Sequence, residues 1–181
     1  RVSVMHRTEK AGLAGAYKAG FAWGIERGFD YLVEMDADGS HRAQDLPSLL
    51  AAAPNSDLVI GSRWIKGGKV ENWPLRRKVL SRGGNIYARF MLGSQVHDMT
   101  AGFRVYKASL LNRLNLNDLS ARGYSFQVEM TRKTQQAKAK ITEVPITFIE
   151  REHGVSKMSQ SIVVEAMLLV TKLGLKRIFG R

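Results

Sequence analysis

At 181 residues, with 44% hydrophobic and 24% charged side chains, the chain can build one globular domain with a real core, and general disorder is excluded. It has no cysteine, which excludes disulfides and thiolate metal centres. The formal charge of +12 is uneven: residues 1–62 hold 6 basic and 8 acidic side chains and the remainder 22 and 8, so the second part either faces an anionic partner or carries a solvated basic face.

The chain opens Arg1-Val2-Ser3-Val4 without an initiator methionine or a charged-then-apolar leader, which reads as the absence of an N-terminal piece. No window reaches the roughly 18 to 20 uninterrupted apolar residues of a membrane span. Val2 to His6 alternates weakly and predicts a short strand. Gly12 to Arg27 carries Leu13, Ala16, Tyr17, Gly20, Phe21, Trp23 and Gly24 at helical spacing, and Gly28-Phe29-Asp30 ends it. Tyr31 to Met35 predicts a strand running out on two aspartates. Gln44 to Ala53 predicts a helix entered near Asp45 and stopped by Pro54-Asn55, and Asp57 to Gly61 a buried strand.

Alternating helices and strands predict an α/β fold with a mixed, mainly parallel sheet, whose ligand site lies at the carboxyl ends of the strands. Asp36, Asp38, Ser62 and Arg63 fall at such ends. Pro74 to Leu92 predicts a basic amphipathic helix with Leu75, Val79, Ile86, Phe90 and Met91 on its apolar side, kinked or split where Gly83-Gly84 weakens it. Met99 to Lys107 reads as a turn entering a strand, Tyr124 to Gln136 as a helix, and Ile141 to Ile149 as an extended run in which Pro145 marks an edge position. Gly154 to Lys157 reads as a loop. Ser161 to Arg181 is helical in pattern and strongly apolar, with Lys172, Lys176, Arg177 and Arg181 toward its end. It suits either an interfacial helix on anionic lipid or a helix packed on its own domain or a dimer mate.

Asp36 and Asp38 stand two apart at a strand end, which directs both carboxylates to one side. Such a pair repels itself unless a cation joins it, and oxygen ligands favour Mg²⁺ or Mn²⁺ with substrate phosphates completing the shell. Residues 63–89 hold eight basic side chains, Arg63, Arg76, Arg77, Lys78, Arg82 and Arg89 among them, against the single acid Glu71. Guanidinium groups there can bind phosphate bidentately, though most of the eight also suit a solvated helix face. The turn Asp98 to Arg104 joins a carboxylate, a hydroxyl and a guanidinium, either as an active-site element or as a capped turn with an Asp98–Arg104 ion pair. Arg151 and Lys157 flank Gly154 in a run suited to closing on phosphate. His41 and His153 are isolated from other histidines and make no metal pair or nucleophile dyad.

MDADGSH, VIGSRWIKGG, HDMTAGFRVY, GYSFQVEM and EVPITFIEREHGVSKMS stand in the order and spacing of the inverting family 2 glycosyltransferases, and the chain resembles the polyprenol (dolichol) phosphate mannose synthases from Arg7 to Ser159. The resemblance implies a GT-A fold, a catalytic domain over residues 1–160, and a C-terminal amphipathic helix over 161–181. It implies transfer of mannose from GDP-mannose to a polyprenyl monophosphate at the cytoplasmic face of the membrane. By motif, Asp36 and Asp38 approach the metal, Mg²⁺ or Mn²⁺, and the donor diphosphate, with Ser40 at the position of a further ligand. Arg151 and Lys157 become donor-phosphate contacts, Arg63, Arg77 and Ser81 the acceptor-phosphate site, and Asp98 with Arg104 the catalytic turn, Asp98 organising Arg104.

Family members begin with a strand and turn resembling VxIPTYNE and a DDGSxDGT segment that holds the nucleoside. Neither is in this sequence, so the domain is expected to be N-terminally incomplete. UDP-glucose is the alternative donor, and a noncatalytic basic module binding anionic lipid or nucleic acid the alternative class. The expected partners are the two substrates, an anionic membrane surface and a membrane protein. No specific nucleic acid is expected, for want of a helix-turn-helix or aromatic-interleaved RNA signature.

Overall fold

The computed structural model describes residues 2–9, 12–116, 119, 125–151 and 160–180. Helix α1 (Gly12–Glu26) leads to strand β1 (Tyr31–Glu34), short helix α2 (Leu46–Ala52) to β2 (Leu58–Ser62), and a small strand β3 (Lys69–Glu71) to the long helix α3 (Leu75–Leu92). Strand β4 (Arg104–Lys107) runs into α4 (Ala108–Arg113). Helix α5 (Ser125–Gln136), strands β5 (Ile141–Pro145) and β6 (Thr147–Ile149), and helix α6 (Gln160–Phe179) follow.

The main sheet has the order β1-β4-β2-β5. Strand β4 lies antiparallel between β1 and β2, while β5 runs parallel to β2. Three of the four strands therefore point one way, with β4 inserted against them, so the sheet is mixed. Strand β5 is an edge strand, which is where Pro145 can sit without breaking a ladder on its second side. A separate parallel pair, β3 with β6, was not evident from the sequence because each strand is only three residues long.

Alternation along the strands builds two cores. Leu32, Leu58, Ile60 and Tyr106 face α1, α3, α5 and α6, joining Phe21, Phe126, Met130 and Val170. Val59 and Val105 face the other way, onto Leu49, Ala53, Phe103 and Ile146 around α2. The carboxyl ends of β1 and β2 lead directly into Asp36, Asp38 and Arg63.

Two expectations are corrected. Residues Val2 to His6 form no strand: they pair with nothing in the sheet, and Val2 and Val4 are exposed, since five weakly alternating residues supply neither a hydrogen-bonded neighbour nor a buried face. Helix α3 is continuous through Gly83-Gly84, because Asn85, Ala88 and Leu92 anchor it beyond the weak point and outweigh the glycine penalty of about 1 kcal/mol each.

One residue of β1 is at odds with its surroundings. Glu34 is 1% exposed and stands opposite Arg104 in the ladder, taking a hydrogen bond from Gln127 Nε2 at 3.0 Å, while its Oε1 has no partner among the described residues. Burial pushes its carboxyl up to about 7, against the lowering effects of Arg104 and of the Gln127 hydrogen bond. A carboxyl raised in the folded state contributes stability that is complete below its unfolded value and is lost as pH rises through about 7. Glu34→Gln is therefore expected to melt at a higher temperature than the parent at pH 8 in metal-free buffer, with the gap closing toward pH 4.5. Scanning calorimetry at the two pH values checks this, and a gap that widens toward acid would contradict it.

Candidate active site

The loop after β1 is shaped by Gly39, whose φ of +79° is a left-handed conformation that side chains with a Cβ resist. That turn brings Ser40 back to Asp38. The Ser40 hydroxyl donates to Asp38 Oδ1 at 2.5 Å and its backbone N–H donates to the same oxygen at 3.1 Å. Ser40 is 1% exposed, so its side chain serves Asp38 and is not presented outward as a metal ligand would be. Arg151 Nη1 lies 3.2 Å from Asp38 Oδ2. Burial alone would raise the Asp38 carboxyl, but the two Ser40 hydrogen bonds and Arg151 outweigh it and hold the group below its ordinary value. Asp36 is raised, by burial and then by the charge of Asp38, despite Arg151 and Arg63. Two neighbouring carboxylates pushed apart in this way repel one another, and a cation shared between them would relieve the repulsion.

His41 is what fixes the loop. Its Nδ1 accepts the backbone N–H of Asp36 at 3.0 Å, and its ring packs on Phe103 and edge-on to Phe148. Burial first, and Arg63 second, depress the imidazole to about 4, so it is neutral at pH 7. Its 4.0 Å approach to Asp36 Oδ2 is therefore no ion pair. Backbone pairing of His41 with Phe148, and of Ile149 N–H with Ser40 O at 3.0 Å, stitches the loop to β6. Sequence reasoning set His41 aside for want of a second histidine; its signal was its place right after a glycine turn.

Arg63 follows β2. Its Nε and Nη2 donate to Asp98 Oδ2 and Oδ1, each at 2.7 Å, its backbone N–H donates to Oδ2 at 2.9 Å, and Nη2 also reaches Thr100 Oγ1 at 2.9 Å. Asp98 is 0% and Arg63 8% exposed. Gly68 lets the chain fold back tightly here, since a Cβ at that position would stand 2.4 Å from Ser62 O. Asp98 thus pairs with Arg63, which corrects the expected partnership with Arg104. Arg104 is fully buried, donating to the carbonyls of Ala101, Met99 and Gln127 and to the Tyr106 and Thr131 hydroxyls. It braces the 98–104 turn from inside the core. Arg63, expected at the acceptor phosphate, spends its fork on Asp98.

Two further residues hold that turn. Glu143, on β5, accepts the backbone N–H groups of His97 at 2.8 Å and Asp98 at 2.9 Å. Asn85, on α3, accepts the Met99 N–H at 2.8 Å and donates to Ser81 O and Thr100 Oγ1. Neither was singled out in the sequence, where both read as ordinary polar positions. Trp73 is buried beside both arginines: Arg77 stacks 4.0 Å above its ring and Arg63 lies 5.6 Å from it.

Helix α3 presents two functional faces. Arg77, Ser81 and Asn85 recur every four residues on the side turned to the 97–101 turn, and Arg77 Nη1 donates to Glu150. The apolar side points outward over most of its length, with Leu75 75%, Val79 63%, Ile86 58% and Phe90 78% exposed, while Met91 packs against the core. Helix α6 packs along α3, with Tyr87 and Thr171 hydroxyls 2.7 Å apart and Gly174 against Met91, and leaves Val164, Leu168, Leu175, Ile178 and Phe179 exposed. The alternative of a helix packed on its own domain describes one side of α6, and the other side is bare. No helix among the described residues is long and apolar enough to cross a membrane. Lys157 lies outside the described residues, as does the loop Gly154 to Lys157.

The model of glycosyl transferase family 2 matches residues 1–114. The chain is 56% identical over 174 residues to the undecaprenyl-phosphate mannosyltransferase of Micrococcus luteus, a match covering 96% of this chain and 72% of that protein. It is 52% identical over 177 residues to the polyprenol monophosphomannose synthase of Mycolicibacterium smegmatis, covering 97% and 67%. The crystal structure of glucosyl-3-phosphoglycerate synthase from Mycobacterium tuberculosis in complex with phosphoglyceric acid superposes with a TM-score of 0.60 at 17% identity, covering 94% of this chain and 56% of that one; at such identity the likeness speaks for the fold alone. The chain belongs to glycosyl transferase family 2 and is a glycosyltransferase of the GT-A fold.

Removing one member of a buried ion pair strands the other. Asp98→Ala is expected to cost about 3–5 kcal/mol by leaving Arg63 buried without its carboxylate. Adding Arg63→Met should recover most of that loss. Urea denaturation of the single and double variants measures it, and strictly additive losses would contradict the pair.

Proposed function

We propose that this glycosyltransferase transfers mannose from GDP-mannose to a polyprenyl monophosphate, releasing GDP and inverting the anomeric configuration. One observation carries the reading beyond the likeness to the named relatives. The consecutive residues Glu150 and Arg151, just after β6, hold Arg77 of α3 and Asp38 of the carboxylate loop respectively, so a cation suited to an acceptor phosphate and the carboxylates suited to a metal diphosphate belong to one site.

Asp36 and Asp38 fit a divalent cation: Asp38 is held ionised by Ser40 and Arg151, and Asp36 is destabilised by its neighbour's charge. Asp36 and Asp38 would hold the ion by their carboxylate oxygens, and the donor phosphates would share it. When bound there, Mg²⁺ or Mn²⁺ supplies charge neutralisation to the departing diphosphate. Arg151, displaced from Asp38, becomes available to the same phosphates, joined by Lys157 as the family resemblance implies.

On the acceptor side, Arg77 and Ser81 orient the monophosphate. Its second pKa is about 6, so the nucleophilic oxygen is already ionised at pH 7 and needs no strong base. That oxygen attacks the anomeric carbon as the bond to GDP breaks on the opposite face. Positioning and electrostatics supply the catalysis. Asp98 and Arg104 act by keeping the intervening turn rigid. The apolar stripe of Leu75, Val79, Ile86 and Phe90, flanked by Lys78, Arg82 and Arg89, is suited to an anionic bilayer bearing the lipid acceptor, with the bare side of α6 beside it.

In a radiolabelled transfer assay with full-length protein, short polyprenyl phosphate and Mn²⁺ or Mg²⁺, GDP-mannose should be used and UDP-glucose refused. Asp38→Ala should lower turnover by roughly 10²-fold or more, and EDTA should abolish it. Undiminished transfer in EDTA would defeat the metal assignment. Flotation with anionic vesicles tests the second element: Val79→Ser combined with Phe90→Ser is expected to reduce vesicle binding, and high salt to weaken what remains. Flotation identical to the parent's would remove α3 from the membrane contact.

A further inference from the structure

The two arginines near the acceptor side are held very differently. Arg63 meets Asp98 with two parallel hydrogen bonds from its guanidinium and a third from its backbone, inside the protein. Arg77 meets Glu150 through Nη1 alone, and its Nε finds no acceptor among the described residues. Both members of this second pair are partly open to solvent, at 16% and 26% exposure. Trp73 supports the Arg77 guanidinium from one face, so the arginine keeps its place whether or not the carboxylate is there. A one-point pair at the rim of a site yields to a dianion with three oxygens; a buried two-point pair does not.

We propose that Glu150 is a built-in counter-ion that the acceptor phosphate displaces from Arg77, and that it thereby sets acceptor affinity. The inference rests on the reading of Arg77 as an acceptor-phosphate contact. Before the acceptor binds, Glu150 neutralises the arginine and raises the threshold for occupancy, so that weakly bound anions do not hold the position. When the monophosphate arrives, its higher charge and larger number of acceptors take over Nη1. Glu150 is thus a competitor for the arginine; it contributes no contact to the lipid phosphate.

The experiment is calorimetric titration of full-length protein with a short-chain isoprenyl monophosphate, together with the acceptor KM in turnover, for the parent, Glu150→Gln, Arg77→Ala and the double variant. Glu150→Gln keeps the shape and a neutral acceptor for Arg77, and is expected to tighten acceptor binding about five-fold, the scale of one partly exposed ion pair. The acceptor KM should fall in step while the donor KM holds. Arg77→Ala should weaken acceptor binding, and in that background Glu150→Gln should no longer tighten it. Weaker or unchanged binding in Glu150→Gln, while Arg77→Ala still weakens it, would overturn the role of Glu150. Equal tightening with and without Arg77 would overturn it too, since the effect would then be general electrostatics. Should Arg77→Ala leave acceptor binding unchanged, the acceptor-site reading itself falls and the inference with it.

Discussion

The buried pair of Arg63 and Asp98 is the interaction on which the architecture of the site depends. Taking two charges out of water costs several kcal/mol each, and only near-complete hydrogen bonding offsets that. Here the carboxylate accepts from the Arg63 backbone and from two guanidinium nitrogens, while Thr100 takes a further guanidinium hydrogen. Each partner sits at the end of a different element, Arg63 after β2 and Asp98 in the turn before β4, so satisfying the pair fixes the distance between them. The turn then reaches α3 through Asn85 and β5 through Glu143. A helix, an edge strand and two loops are thereby referenced to one ion pair. Its geometry is demanding enough that neither Arg63→Lys nor Asp98→Glu would reproduce it, because an ammonium lacks the fork and a longer acid would displace the turn.

The carboxylate loop is referenced to the same frame by another route. His41 and Ser40 dock on β6, and the β6 backbone pairs with β3, whose end leads through Trp73 into α3. A three-residue ribbon is too short to be stable alone. It persists because Phe148 and Trp73 pack edge-on at 5.3 Å and because both lie against the Arg63 guanidinium. The carboxylate loop and helix α3 are consequently joined through aromatic rings and one arginine, with residues 150 and 151 placed where the two meet.

Much of this was legible in the sequence. Strands β1, β2 and β5 were marked by short extended, mostly apolar runs and helices α1, α3 and α6 by apolar residues at helical spacing, and those signals concern local burial. The carboxylates Asp36 and Asp38 were found from their position after an apolar strand. What could not be read was the pairing of charges. Asp98 is six residues from Arg104 and 35 from Arg63, and sequence proximity favoured the wrong arginine; the β4 backbone directs Arg104 into the core, where carbonyl oxygens satisfy it. The orientation of α3 was likewise hidden. Its apolar stripe is regular, but the inward side is chosen by Asn85, which bonds the turn, and by Ala88 and Leu92, which enter the core. Strand β3 left no periodic trace in three residues.

That orientation of α3 follows from the amphiphilic character of the substrate proposed for it. A lipid monophosphate carries its charge at one end and its apolar chain at the other, so a site for it needs cationic donors set back from an apolar surface by the length of a side chain. A helix with period 3.6 supplies this when its polar inward row and its apolar outward row are nearly opposed. Arg77, Ser81 and Asn85 form the first row; Leu75, Val79, Ile86 and Phe90 form the second, which extends about 22 Å along the helix. A water-facing helix would gain nothing from such a stripe, since four large apolar groups more than half exposed forgo the burial that stabilises the others. Arg82, within the outward stripe, and Lys78 and Arg89 beside it add the charge that an anionic surface attracts. The helix runs unbroken through Gly83-Gly84, and that continuity is what keeps the two rows in register.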